Sequence, residues 1–378
     1  MTDREALLAA IHAAPDDDLP RLVYADWLEE NAGAVSPIER KSAGERAAFI
    51  RAQIEAARAE PLSPAAREAE ERARRLLTDT HREAWTWELR GKVLDVEFAR
   101  GFVEHATVDA AQFPDVAESL FASESIRSVR VCRPAPSRSE YEVLLKPVFD
   151  LPQLAKLAAL DLQGVELNYD DCVNLSESPH LSGVAQLTLR GNPIFPPWLR
   201  EFIQGPAFPN LAGLDIADIA NLGPMIARCL PNAGHRRFRR LDLSGIKFHS
   251  RELKSALACE CVQQIEELRL RWDGGSDQPG ALTHLELGYV LPWENLRLLD
   301  LTGQGLGPEG VLEIVRHEHA SKLRWLGLAR NFLGADGVTA LCEDSDLKLY
   351  HLDVRFNDLG PKVAESLQRR FPGAVVLV

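Results

Sequence analysis

The segment LRLLDLTGQGLGPEGVLEIV at residues 296–315 recurs as LRWLGLARNFLGADGVTALC at 323–342 and as LYHLDVRFNDLGPKVAESL at 349–367. Each copy opens with alternating apolar residues, which are typical of a short strand with one buried face. A loop and a segment with helical periodicity follow. The three copies therefore predict a strand, a loop and a helix that together repeat every 26 or 27 residues.

The strand pattern of this unit, three apolar residues separated first by two residues and then by one, occurs nine times between residues 157 and 354. The spacings between successive middle residues are 27, 27, 27, 27, 17, 14, 27 and 26. Because one unit cannot bury its apolar face alone, we expect neighbouring units to stack. The middle residues are Leu160, Leu187, Leu214, Leu241, Leu268, Leu285, Leu299, Leu326 and Leu352, after a weaker copy at Val129.

The two short spacings flank Leu285, where the segment WDGGSDQPG at residues 272–280 leaves no room for a helix. We expect a strand at Leu282, Leu285 and Leu287 because the apolar pattern is kept. The stack of units is expected to be irregular there.

Two further positions are shared by the three aligned copies. An amide at the first position is expected to be buried and to satisfy backbone groups of neighbouring loops. The amides are Gln304, Asn331 and Asn357, and the glycines that share the second position are Gly307, Gly334 and Gly360.

These residues resemble leucine-rich repeats, and the period with a helical return is similar to the ribonuclease-inhibitor-like subclass. The resemblance covers roughly residues 123–378. It implies an α/β fold: a curved solenoid with a parallel sheet on its concave side and helices on its outer side, preceded here by a small all-α domain.

Residues 1–90 lack the repeat period and predict helices at about 5–14, 20–31, 43–59 and 64–89. Pro20 and Ser63-Pro64 provide typical helix-start signals. The following segment KVLDVEFARGFVEHATVDAAQF predicts a strand, a strand and a helix. We therefore expect a helical domain at 1–90, an N-terminal cap of the solenoid at 91–122 and the repeat domain at 123–378.

The strings DDDLPRLVYADWLEENAG at residues 16–33 and ERAAFIRAQIEAA at 45–57 resemble the short bacterial repeat-companion domain that precedes repeat arrays. The segment AVSPIERKSAG between them is longer than the loop usual in that family. The resemblance implies an architecture and a neighbouring repeat array, and it implies no activity.

Composition excludes several classes of function. A net charge of −13 disfavours a general nucleic-acid binder or a protein that binds anionic membranes. The chain contains no apolar run long enough to span a membrane, and its start lacks the features of a signal peptide. The six cysteines are widely spread and read as reduced thiols. We expect a cytoplasmic protein.

The acidic residues of the N-terminal part provide the basis for an alternative function. Asp16, Asp26, Glu29 and Tyr24 would have to supply the chemistry of an enzyme or a metal-dependent accessory protein, because carboxylates are ligands for hard cations. Their spacing does not match a calcium loop. We favour instead a role for the acids at the start and on the solvent face of a helix.

Other short motifs favour structural roles. His317 and His319, like Cys259 and Cys261, are spaced unfavourably for a metal site, and we read the histidines as an exposed helix end. The run GQGLGPEG has proline where a dinucleotide fingerprint needs its third glycine. The basic run HRRFRRLD at residues 235–242 is expected to be a solvated loop. No catalytic residue, metal or cofactor is predicted.

A partner-binding surface is predicted on the concave side, where the residues beside the inner leucines face solvent. Near the C-terminal end these positions combine aromatic and charged side chains, which is the composition of an interaction hot spot. The sequence predicts a scaffold that binds a protein partner here without catalysis. The predicted site residues are His284, Leu298, Asp300, Trp325, His351, Asp353 and Arg355.

Overall fold

A computed structural model describes residues 2–133, 144–272, 282, 287–343, 346–360 and 362–378, except for the side chain of Ile38. The chain forms two compact units, Met1–Ala159 and Leu160–Val378. This division differs from the predicted boundaries at residues 90 and 122, which remain predictions about domains. Within the described residues, no helix is both long enough and apolar enough to cross a membrane.

The first unit combines helices with three strands. Its helices are α1 (Asp3–Ala13), α2 (Leu19–Glu30), α3 (Pro37–Arg40), α4 (Ala43–Arg58), α5 (Pro64–Leu76), α6 (Asp79–Trp85), α7 (Phe113–Ser123) and α8 (Lys146–Phe149). Its strands are β1 (Asp95–Ala99), β2 (Phe102–Asp109) and β3 (Ser128–Cys132). β1 and β2 are antiparallel, whereas β2 and β3 are parallel. The two strands predicted after residue 91 are confirmed as β1 and β2, whereas the helix begins only at Phe113, the last residue of the predicted segment, as α7.

Helix boundaries in this unit follow from capping. Ser63 Oγ accepts a hydrogen bond from the N–H of Ala66 at 3.1 Å, as the predicted cap requires. The single long helix predicted over 64–89 is wrong, because the helix ends at Leu76 and a second one begins at Asp79. Thr78 is extended, and its hydroxyl accepts from the N–H of His81 at 3.2 Å to begin α6.

A buried ion pair lies inside the first unit. The guanidinium of Arg21 is fully buried and donates to a carboxylate oxygen of Glu104 at 2.7 Å and to the carbonyl of Pro15 at 2.8 Å. Glu104 also accepts from Arg100 at 3.0 Å. Since breaking a buried pair leaves an uncompensated charge, these contacts tie α2 to β2.

The second unit is built from short parallel strands that follow one another in chain order, each pair joined by a helical connection. The strands are β4 (Ala159–Asp161), which begins at the last residue of the first unit, β5 (Gln186–Thr188), β6 (Gly213–Asp215), β7 (Arg240–Asp242), β8 (Glu267–Arg269), β9 (Leu298–Asp300), β10 (Trp325–Gly327), β11 (His351–Asp353) and β12 (Val375–Leu377). The helices are α9 (Tyr169–Glu177), α10 (Pro196–Gln204), α11 (Gly223–Cys229), α12 (Ser250–Leu257), α13 (Leu287–Val290), α14 (Gly307–Arg316), α15 (Gly334–Glu343) and α16 (Val363–Arg370).

The register of the strands matches the predicted pattern. From β5 to β11 each middle leucine pairs with the middle leucine of the next strand, for example Leu299 with Leu326 and Leu326 with Leu352. These leucines are buried, which places the core of the unit between the sheet and the helices. The chain is therefore an α/β protein whose sheet is mostly parallel.

The strand predicted between β8 and β9 is wrong. β8 pairs directly with β9 through Leu268 and Leu299, so no strand lies between them. Leu287, the last residue of the predicted strand, begins α13. Residues 283–286, which include Leu285 and His284, lie outside the described residues. The two short spacings therefore add up to a single spacing of 31 residues, from Leu268 to Leu299. The spacing from Val129 to Leu160 has the same length.

Buried amides connect neighbouring loops, as predicted. Asn331 Nδ2 donates to the carbonyl of Leu301 at 2.9 Å, and its Oδ1 accepts from the N–H of Leu306 at 3.2 Å. Asn357 accepts from the N–H of Asn331 at 2.7 Å and donates to the carbonyl of Leu328 at 2.9 Å. Gln304 donates to the carbonyl of Leu270. The amides satisfy backbone groups that a tight loop leaves unpaired.

Candidate functional site

A pocket of about 470 Å³ lies at the carboxyl ends of β9, β10 and β11 in the second unit. Its floor carries two aspartates, and its walls carry aromatic and arginine side chains. The lining residues are Arg271, Asp300, Thr302, Trp325, Ala329, Arg330, His351, Asp353, Arg355, Phe356 and Leu377.

The aromatic wall is a stacked pair on adjacent strands. Trp325 and His351 are direct partners in the β10–β11 register, and their ring centroids are 5.1 Å apart at an interplanar angle of 10°. Gly327 provides the space for this arrangement, because a Cβ there would lie 2.7 Å from atoms of the Trp325 ring and 2.6 Å from Asp300 Oδ1. The indole therefore lies over its own strand, and both rings remain partly exposed.

Aspartates on the floor end their strands with the same local hydrogen bond. Oδ1 of Asp300 accepts from the N–H of Thr302, and Oδ1 of Asp353 accepts from the N–H of Arg355, each at 3.1 Å. This contact from residue i to residue i+2 is typical of an Asx turn. It is also present at Asp161, Asp215 and Asp242. The recurrence of aspartate at this position therefore has a structural cause.

The two aspartates differ in their electrostatics. Burial raises the pKa of Asp300, and hydrogen bonds from Thr302 only partly offset that effect. Burial also acts to raise the pKa of Asp353, but hydrogen bonds from the Arg355 guanidinium outweigh it and hold this pKa below its usual value. Arg355 makes a two-point contact, Nε to Oδ1 at 2.9 Å and Nη2 to Oδ2 at 2.7 Å. Arg271 approaches Asp300 at 4.0 Å.

The rim of the pocket contains residues that the sequence reading missed. Phe356 is 69% exposed, and the guanidinium of Arg330 lies 5.1 Å from its ring centroid. Both residues have positive φ, 60° for Phe356 and 55° for Arg330. A positive φ is strained for side chains of this size. Both residues directly precede a buried amide: Arg330 precedes Asn331, and Phe356 precedes Asn357. This shared position, in ArgAsnPhe at 330–332 and PheAsnAsp at 356–358, is the sequence signal that could have identified them.

The predicted site residues are distributed as follows. Asp300, Trp325, His351, Asp353 and Arg355 line the same pocket. Leu298 is the β9 partner of Trp325 and is half-buried, but it does not line the pocket. Its partner on β8 is Glu267. His284 lies outside the described residues.

A second cluster on the same sheet was also missed. Arg190 contacts three carboxylates, Nε to Asp215 at 3.1 Å, Nη1 to Asp218 at 2.8 Å and Nη2 to Asp242 at 2.6 Å. Burial and the neighbouring Asp242 charge raise the pKa of Asp215, although hydrogen bonds from Ala217 and Arg190 act against them. We call these four residues the Arg190 cluster. Its guanidinium is occupied by residues of the chain itself.

Acids of the first unit, considered in the alternative function, contact arginines. Arg51 contacts Asp26 at 2.7 Å and Glu29 at 2.6 Å. The hydrogen bond from Arg51 lowers the pKa of Glu29. Asp16 lies 3.4 Å from Arg127. The ring of Tyr24 is buried, and its hydroxyl accepts from Arg4 at 3.4 Å.

The basic run is exposed, as predicted, at His235, Arg237, Arg239 and Arg240, but not at Arg236. Arg236 is buried and donates to the carbonyls of Ile203, Phe208 and Gly205. Its three guanidinium nitrogens therefore hold a turn of the chain together. The other arginines of the run face carboxylates: Arg237 contacts Glu260, Arg239 contacts Glu266 and Arg240 contacts Glu267.

Three other motifs also have structural explanations. His317 lies at the end of α14, as predicted, but it is only partly exposed because it stacks on Trp293 with centroids 4.3 Å apart. The sulfurs of Cys259 and Cys261 are 3.1 Å apart. In the run GQGLGPEG, Gly303 has a φ of 76°, and a Cβ there would lie 1.8 Å from the carbonyl oxygen of Trp272. Close backbone approach therefore requires this glycine.

Across the part of the chain that the structure describes, no group of three or more histidine, cysteine, aspartate or glutamate side chains is arranged to hold a metal ion. The chain was also compared with known proteins: no family model matches it, and no curated protein matches it significantly.

Proposed function

We propose that this chain is a cytoplasmic scaffold that binds a protein partner and performs no catalysis. In this proposal the second unit is a leucine-rich-repeat solenoid whose sheet forms the concave face, and the N-terminal helices form a repeat-companion domain. The resemblance of the sequence to these two families supports the architecture. The parallel strands and their common register are compatible with it.

The pocket at Trp325 is the observation that carries the proposal. It combines a partly exposed tryptophan with arginines and an exposed phenylalanine, and these residue types are typical of the few side chains that dominate binding energy at interfaces. Its charged floor is internally paired, since Arg355 contacts Asp353. A partner can therefore pack on the aromatic rings without leaving a buried charge unpaired.

The chemistry of the pocket indicates the kind of partner segment. Three arginines and two aspartates line it, and both aspartates are buried. The accessible charge is therefore mainly positive. We propose that the partner supplies an apolar or aromatic side chain, which packs against Trp325 and Phe356, and that charged residues next to it are acidic.

The alternative of an enzyme or metal-dependent accessory protein is less well supported. Its carboxylates at Asp26 and Glu29 are engaged by Arg51, so a cation would have to compete with a guanidinium. A bound metal found by elemental analysis of the purified chain would favour this alternative over the scaffold.

The test of the proposal is affinity capture from a native lysate, followed by binding measurements with the purified captured protein. Baits are the full chain, Trp325→Ala and a matched control, Phe195→Ala. Phe195 is exposed and precedes α10, away from the strand ends. We expect Trp325→Ala to weaken binding at least tenfold and Phe195→Ala to change it less than twofold. Equal binding by both variants would contradict the proposed site.

A further inference from the structure

The first unit contains a pocket of about 320 Å³ that is separate from the proposed partner-binding site. This volume lies within the range of about 300–1,000 Å³ that is typical of small-molecule sites. The pocket is lined by residues of α1, α2, α3, α4, α6, α7 and β2 and by the residues that follow α6 and α7.

An arginine with no hydrogen-bond partner lines this pocket. Arg46 on α4 is surrounded by aromatic rings, with its guanidinium carbon 4.6 Å from the ring centroid of Trp85, 5.0 Å from Phe98, 5.6 Å from Phe102 and 5.7 Å from Phe49. Its Nη1 is buried and unpartnered, and the guanidinium donates no hydrogen bond to any described residue. Burial lowers the pKa of Arg46 to about 10, so it is cationic at neutral pH.

A half-buried carboxylate lines the same pocket. Glu124 directly follows α7, and the backbone N–H of Val103 acts to lower the pKa of its carboxyl. Burial raises its pKa to about 7, while the charge of Arg46 acts in the opposite direction. Glu124 forms no ion pair with Arg46 or with another described residue. The pocket therefore holds two opposite charges that influence each other without touching.

Two other polar groups in the lining are already paired. Arg4 donates to Glu39 at 2.9 Å, and Trp85 Nε1 donates to Ser42 at 2.9 Å. Cation–π contacts compensate only part of the desolvation of a guanidinium, because they satisfy none of its N–H donors. Nη1 of Arg46 therefore lacks an oxygen acceptor, and the half-buried Glu124 can accept from the donor of a ligand.

We propose that this pocket binds a small zwitterion, a free α-amino acid with an apolar side chain, whose carboxylate accepts hydrogen bonds from Arg46 and whose ammonium donates to Glu124. The apolar side chain packs against Leu8, Leu28 and Trp87, which also line the pocket. This proposal is independent of the proposed function, which concerns the other unit.

The charge balance of the pocket favours a zwitterion over an anion. Four carboxylates line it, Glu5, Glu39, Glu88 and Glu124. A phosphate or a dicarboxylate would be repelled by them, whereas a ligand that carries an ammonium is attracted. A simple amine would leave Arg46 without an acceptor.

The experiment is isothermal titration calorimetry on the full chain at pH 8, where Glu124 is mostly ionised. The probes are phenylalanine, leucine and methionine, together with 3-phenylpropionate, which lacks the ammonium, and 2-phenylethylamine, which lacks the carboxylate. We expect saturable binding of at least one amino acid, and binding of both incomplete probes at least tenfold weaker than that of phenylalanine. No saturable binding of any amino acid, or equal binding of phenylalanine and 3-phenylpropionate, would overturn the proposal.

Variants separate the two charges. Glu124→Gln keeps the size of the side chain, and we expect it to weaken amino-acid binding at least tenfold while leaving 3-phenylpropionate unchanged. Glu118→Gln, at an exposed position of the same helix, is the matched control and should have no effect. Arg46→Met should abolish the binding of the amino acids and of 3-phenylpropionate. If this variant does not fold, the result for Glu124→Gln tests the proposal. Unchanged amino-acid affinity in Glu124→Gln would overturn the assignment.

Discussion

The Arg190 cluster and the pocket at Trp325 occupy equivalent strand positions of the second unit but differ in chemistry. In both, an aspartate directly follows the middle leucine and caps the end of its strand. In the Arg190 cluster one guanidinium holds three carboxylates from neighbouring strands and loops. In the pocket, Asp353 has its own arginine, and the strands carry stacked rings.

The difference shows how one backbone frame supports two kinds of surface. The aspartate belongs to this backbone frame, because Oδ1 caps the strand end wherever an aspartate follows the middle leucine, although β5, β8 and β10 end with other residues. The residue before the middle leucine sets the surface: Gly213 and Arg240 on β6 and β7, but Trp325 and His351 on β10 and β11. The Arg190 cluster is satisfied within the chain, whereas the pocket leaves aromatic surface accessible.

The largest expected effect on stability tests whether the strand-and-loop backbone, held by a buried amide, is the same in both regions. Asn331→Ala removes the partners of the Leu301 carbonyl and the Leu306 N–H, and Asn192→Ala does the same for Leu162 and Leu167 in the other region. We expect each variant to lower the free energy of unfolding by about 2–4 kcal/mol, since each leaves buried groups unpaired. Urea denaturation measures both. A loss in only one variant would show that the frame is not shared.

The next largest effect on stability distinguishes Arg190 from Arg355. We expect Arg190→Met to lower the free energy of unfolding by about 1–3 kcal/mol at pH 7, because three carboxylates lose a common partner. Arg355→Met should cost under about 1 kcal/mol, since this arginine is exposed. The loss in Arg190→Met should shrink at lower pH, because the pKa of Asp215 is raised and its carboxyl becomes protonated first as the pH falls. Equal losses in urea denaturation at pH 7 would contradict the distinction.

Within the pocket, the contributions of Asp300 and Asp353 to stability should depend on pH in opposite directions. The pKa of Asp353 is lowered, so its contribution to stability is present above the unfolded pKa of about 3.9 and is lost as pH falls through its folded pKa. The pKa of Asp300 is raised, so its contribution is present below about 3.9 and is lost as pH rises through its folded pKa.

Urea denaturation between about pH 6 and pH 3 checks these signs. The stability difference between wild type and Asp353→Asn should shrink as the pH falls. The difference between wild type and Asp300→Asn should move in favour of the wild type over the same interval. Parallel slopes for the two variants would show that the aspartates are electrostatically equivalent.

The smallest expected effect on stability concerns two glycines. Gly327→Ala places a Cβ against the Trp325 ring, whereas Gly213→Ala meets only the flexible Gln186 side chain at 3.2 Å. We expect both variants to lose less than about 1.5 kcal/mol of stability. Gly327→Ala should weaken partner binding severalfold, and Gly213→Ala should leave it unchanged. Equal partner affinities of the two variants would indicate that the position of the indole does not matter.

The sequence was sufficient to predict the strands and the buried amides of the second unit, because both depend on local periodicity. The positions of the middle leucines predict the register from β5 to β11, and Asn331 and Asn357 make the expected bonds. It was not sufficient at Leu282–Leu287, where an apolar pattern imitates a strand but β8 pairs directly with β9. A strand needs a free neighbouring edge, and local patterning does not show whether one exists.

The candidate site was predicted only in part for a similar reason. Comparing equivalent positions of successive repeats identified Trp325, His351 and Arg355, because residues one repeat apart are neighbours in the sheet. It missed Phe356 and Arg330, whose exposure depends on a positive φ in the loop. It also missed that Arg190 reaches Asp242 two strands away, a contact that depends on side-chain length.

Site-directed photocrosslinking tests the central claim most directly, because it reports contact with the partner in the intact complex. A photoreactive phenylalanine analogue is placed at position 325 in one full-length bait and at position 195 in another. Our account predicts a crosslink to the captured protein from position 325 and none from position 195. A crosslink from position 195 alone would place the partner at the start of α10 and contradict the account.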